Sequence, residues 1–69
     1  MIIINQFQKE ELEMLKQNNI EIKNKDYSLS ELFNLEDEVA YLIADSMKNK
    51  NKVEILEKIL DKILSLEDK

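Results

Sequence analysis

The side chains best suited to acid–base or metal chemistry in this chain are carboxylates, and three stand in a row at Glu36-Asp37-Glu38. A general acid–base pair or a divalent cation site would need two or three of them to converge. On a helix, consecutive residues fan out by about 100°, so these three cannot close on one ion. Asp26 is followed by neither an acidic ladder nor a glycine, so it does not open a calcium-binding loop. The other ingredients of catalysis are missing. The 69 residues include no His, Cys, Trp, Gly or Pro, and all ten basic residues are lysines. Triads and Cys–His pairs cannot be built, and phosphate cradles that depend on glycine are excluded. With neither His nor Cys, a zinc site has no ligands of the usual kind. We therefore expect no catalytic residue, no metal and no cofactor.

The length allows one domain, taken here as 1–69. A core of this size supplies only a few kcal/mol, and small proteins often add a staple. No disulfide is available, which leaves association as the remaining one, and the absence of cysteine fits a reducing compartment. Met1-Ile2-Ile3-Ile4 is too short and lacks the basic start of a signal peptide, and no apolar run approaches the roughly 20 residues of a membrane span. A cytoplasmic protein without membrane contact is expected. Ile, Lys and Asn make up 26 of the 69 residues, a bias of AT-rich genomes that also accounts for the missing arginine. Net charge is −5, and with no arginine there is no basic surface for nucleic acid. Lys48, Lys50 and Lys52 form one basic spot, which we read as charge suited to the end of a helix.

Asn and Ser supply the punctuation that Gly and Pro normally provide. Asn5/Gln8, Ser28/Glu31 and Asn51/Glu54 each have the three-residue spacing of a capping box, ahead of an apolar-periodic run. Tyr27 and Leu32 stand at staple positions around the second box. Asn18 and Asn19 can close the first helix in the left-handed conformation, with Ile20 packing back on Leu15. Asn49 can stop the second. These signals predict an all-α fold, a small three-helix bundle with helices over about 6–18, 29–48 and 52–66. The middle helix is expected at its centre. The β-branched segments 2–4 and 20–22 flank the first helix. They are read as extended cover for the bundle, with a minimal parallel strand pair as the alternative.

The apolar positions exceed what three helices need. On the middle helix one stripe runs Leu29, Phe33, Ala40, Ile43, Ala44, Met47. A second runs Leu32, Leu35, Val39, Leu42 with the 3-4-3 spacing of a coiled-coil seam. The last helix offers Val53, Leu56, Leu60, Ile63 and Leu64, continued by Ile55, Ile59 and Leu66. The first offers Phe7, Leu12, Met14 and Leu15. The seam predicts a partner or homodimer interface at Leu32, Leu35, Glu36, Val39 and Leu42. Glu36 interrupts the apolar pattern. It must be paired, protonated or at a rim, with a lysine or the Tyr27 or Tyr41 hydroxyl as partner.

Charge is uneven as well. Residues 26–47 hold six carboxylates and no lysine, a local net of −6. Glu31, Glu38 and Asp45 recur every seven residues as one acidic surface stripe. The expected function is a non-enzymatic protein–protein interaction module, an adaptor or regulatory subunit that docks or self-associates through an apolar helix face. The alternative is an inhibitor encoded by a phage or plasmid, an anti-defence protein or nucleic-acid mimic, that meets a basic enzyme surface through the acidic middle helix. The run Asp26-Tyr27-Ser28-x-x-Glu31-Leu32-x-x-Leu35 resembles small proteins of AT-rich bacteria and their mobile elements. It covers about ten residues and transfers no function.

Overall fold

Three capped starts give three helices: α1 over Lys9–Gln17, α2 over Leu29–Asp45 and α3 over Lys50–Glu67, preceded by a 3-10 turn at Ile4–Gln6. The computed structural model describes residues 2–68. Met1 and Lys69, the ends of the expected 1–69 domain, lie outside them. Helix packs on helix, and no strand forms among the described residues. The fold is the all-α three-helix bundle that the periodicity predicts.

The middle cap forms where its residues place it. Ser28 Oγ accepts the Glu31 amide at 3.2 Å, and Glu31 Oε1 accepts the Ser28 amide at 3.1 Å. Tyr27 and Leu32, the staple pair, are both buried. The other two starts move. Asn5 is absorbed by the 3-10 turn, which lets both Ile3 and an extended Phe7 reach the core. The α1 cap therefore falls to Gln8, whose amide donates to Glu11 Oε1 at 2.7 Å. Asn49 replaces Asn51 at the start of α3, its Oδ1 accepting the Lys52 amide at 3.2 Å. As a cap, Asn49 starts α3 and does not end α2. α2 stops at Asp45, three residues short of expectation, because the chain reverses over 46–49. Ser46 is buried there, and the Asn49 amide donates to its carbonyl at 2.8 Å.

The end of α1 has the predicted geometry. Asn19 adopts φ 65°, a conformation Asn tolerates better than most residues, and the Ile20 amide donates to the Leu15 carbonyl at 2.9 Å. The Asn19 amide donates to the Lys16 carbonyl at 3.1 Å, which completes a Schellman ending with Leu15 and Ile20 both buried. Beyond it the chain runs extended. Ile20 and Ile22 point inward and Glu21 outward, the period-2 alternation of extended backbone. Ile2 makes only an isolated antiparallel bridge to Asp26. Segment 20–22 thus covers the bundle, but 2–4 is not an extended cover: Ile4 already opens the 3-10 turn, Ile2 is exposed and only Ile3 is buried, and the parallel pair does not form.

The centre is α3, not α2. It packs against both other helices and buries Leu56, Ile59, Ile63 and Leu66. α2 supplies Leu32, Leu35 and Val39, and α1 supplies Leu15. Each such side chain contributes on the order of 1.5–3 kcal/mol on burial. The last helix wins the central place because its apolar stripe is broad enough to serve neighbours on two sides, while α1 has only a narrow one.

Candidate interaction surface

The expected interface residues divide. Leu32, Leu35 and Val39 are buried inside the chain, and Leu42 and Glu36 are half-buried. The 3-4-3 seam is therefore core, occupied by the chain's own α3, and not a free surface. The spacing that marks a coiled-coil seam is equally satisfied by an intramolecular neighbour.

The free apolar surface is the other stripe. Leu29 is 52% exposed and Phe33 47%, Ala40 and Ala44 are exposed farther along the helix, and Met47, 67% exposed, lies in the turn past its end. At 100° per residue, Leu29, Phe33, Ala40 and Ala44 fall within roughly 60° of one another, one narrow outward face. Ile43 borders it half-buried, and Leu64 of α3 is 40% exposed. The bulk is uneven: Leu29 and Phe33 stand at the N-terminal end of α2, and the floor beyond them is alanine.

Glu36 lies at the edge of this face, and its neighbour is neither a lysine nor a tyrosine. It is Glu67 of α3. The Tyr27 hydroxyl is already committed, accepting the Lys23 amide at 2.9 Å, and Tyr41 is exposed. Desolvation, and then Glu36, push the Glu67 carboxyl above its usual range, with Asp68 and Asp37 adding to the effect. Glu67 Oε2 is hidden from solvent with no donor. Protonated, Glu67 would itself donate to Glu36, which is the physical content of its raised value.

The acidic stripe also divides. Glu38 and Asp45 are exposed. Glu31 is engaged in the cap and in an ion pair with Lys25, whose ammonium also lies 5.1 Å from the centre of the Tyr27 ring. The Lys25 hydrogen bond first, and the Ser28 amide second, hold the Glu31 carboxyl below its usual range. Lys25 stands one residue outside the lysine-free stretch, so the charge count missed it.

Glu11 is a buried group that the sequence reading passed over. It is 2% exposed, caps α1, and takes Lys62 Nζ at 2.5 Å, tying α1 to α3. The Gln8/Glu11 spacing was a signal for the cap, but nothing local marked Lys62 as its partner. Its work is structural. Among the described residues no three acidic, His or Cys side chains are grouped to hold a metal ion, and no helix is long and apolar enough to cross a membrane.

Comparison with protein-family models, curated proteins and solved structures finds no match. The surface must be argued from its own chemistry.

Proposed function

We propose that this chain is a small non-enzymatic interaction module, an adaptor or regulatory subunit, docking through the outer face of α2. The observation that carries the reading is the exposed pair Leu29 and Phe33 on the outer face of α2, with Met47 exposed in the turn beyond it, on a chain whose apolar seam is already filled. Large side chains left in water along one line of a small protein are surface that a partner covers at a gain. The partner contributes an apolar surface that meets the row as a helix meets a groove. A cytoplasmic setting goes with this reading, since nothing in the chain relies on oxidised cysteine.

The electrostatic alternative has weaker support. Of the three carboxylates in the acidic stripe, Glu31 is neutralised locally by Lys25 and held by its cap, which leaves Glu38 and Asp45 to steer a basic surface. Two exposed charges are few for a nucleic-acid mimic.

Capture on the tagged chain across a salt series separates the readings. A docked apolar face keeps its partner at high salt, and Glu38→Gln with Asp45→Asn leaves capture unchanged. A partner released at moderate salt, and lost on neutralising those two carboxylates, would replace docking with electrostatic inhibition.

A further inference from the structure

We propose that Glu36 and Glu67 form a proton-operated latch. With one proton held between them they clasp the last turn of α3 to α2, and with both ionised that turn opens and uncovers Leu66. The latch stands whether or not the outer α2 face docks a partner.

The clasp is built across two elements. Glu36 projects from the middle of α2, Glu67 is the last residue of α3, and both are half-buried. Their carboxyls lie close enough for a proton on Glu67 to be donated to Glu36. Glu67 Oε2 is shielded from water and takes no hydrogen bond, so the ionised group has neither solvent nor a donor there to hold its charge.

The surroundings all oppose that charge. Facing Glu67 are Glu36 and Asp37 from α2 and Asp68 from the residue after α3, every one acidic. Among the described residues no lysine and no group of α1 acts on it. The last turn of α3 holds no basic residue either, although the free carbonyls that end a helix favour a cation and disfavour an anion. A shielded carboxyl among like charges at a helix C-terminus is therefore stable as the neutral acid and costly as the anion.

Little else holds the turn. Leu66 is its one buried side chain, and Leu64 and Ser65 are exposed. The Asp68 amide reaches the Leu64 carbonyl at 3.3 Å, longer than the usual amide–carbonyl distance. Unwinding 64–68 thus gives up one leucine contact and the final helical hydrogen bonds, while it returns Glu67 to water and takes it away from Glu36. A terminal turn is also the part of a fold that opens at least cost. The turn is shut in acid and opens as pH rises through the value at which Glu67 releases its proton.

NMR chemical shifts of the full chain, followed from acid to neutral pH, test this. The Cα shifts of residues 64–68 report helix, and the side-chain carboxyl shifts of Glu36 and Glu67 report protonation. The helicity of 64–68 is expected to fall by about half or more on the same midpoint as the Glu67 carboxyl, with 50–62 unchanged. Glu67→Gln and Glu36→Gln each put an amide donor in place of the shared proton and hold the turn shut through neutral pH. Helicity at 64–68 that stays constant while Glu67 titrates overturns the latch. So does a loss equally large in Glu67→Gln, or one that runs through all of α3 together.

Discussion

α2 carries two apolar rows side by side, and they meet opposite fates. Leu32, Leu35 and Val39 are buried under α3, while Leu29 and Phe33 stand in water about a quarter-turn away. Their residue types hardly differ. What separates them is the short reversal at 46–49, which directs α3 to one side of α2 and leaves the other side uncovered. Hydrophobicity marks a surface that wants a partner, and chain connectivity decides whether that partner is inside the molecule.

Substitution should reproduce the division. Leu32→Ala, on the covered row, is expected to cost about 2–5 kcal/mol in denaturant unfolding, enough to threaten a protein of this size. An effect under about 1 kcal/mol would mean that the seam is loosely packed and the two rows are not distinct. Glu11→Ala removes the cap on Gln8 and the acceptor of Lys62 together, and should cost about 1–3 kcal/mol. It would show how far the α1–α3 contact depends on one polar group rather than on apolar cover. Phe33→Ala, on the open row, should change stability by no more than about 0.5 kcal/mol.

The carboxyls at the two ends of this arrangement sharpen the contrast further, since they titrate in opposite senses. Glu31 is held low by Lys25 and Ser28, so its contribution is present above the usual carboxylate range and lost as pH falls through its lowered value. Glu67 is held high by desolvation and Glu36. Its contribution is present below the usual range and lost as pH rises through its raised value. Unfolding of Glu67→Gln followed across acid to neutral pH should lack that loss, and Glu31→Gln should lack the opposite one. Identical profiles for Glu67→Gln and the parent chain would remove Glu36 and Glu67 from the account of the rim.

What could be read from sequence was local. Ser28 and Glu31, and the Asn18-Asn19-Ile20 ending, act through hydrogen bonds within a few residues, and they formed as their spacing implied. The starts at Asn5 and Asn51 were misplaced because neighbouring residues offered equivalent caps, and burial of Ile3 and Phe7 decided between them at the first. The seam on α2 was read as open for a different reason. Two stripes on one helix are both legible as apolar, but which of them faces α3 depends on how the 46–49 turn directs the chain. The Glu36–Glu67 and Glu11–Lys62 pairs depend on the same tertiary placement across 31 and 51 positions of sequence. No periodicity reports such distances.

The account stands on the separation of the two rows, and one variant addresses it directly. Phe33→Asp should melt within a few degrees of the parent chain, as a surface change on an exposed helix position does. In the same preparation it should lose association through the outer α2 face, with itself or with a captured partner. If Phe33→Asp unfolds the chain, the open row is core after all. If it melts unchanged and still associates as the parent does, the outer face of α2 is not where this protein docks.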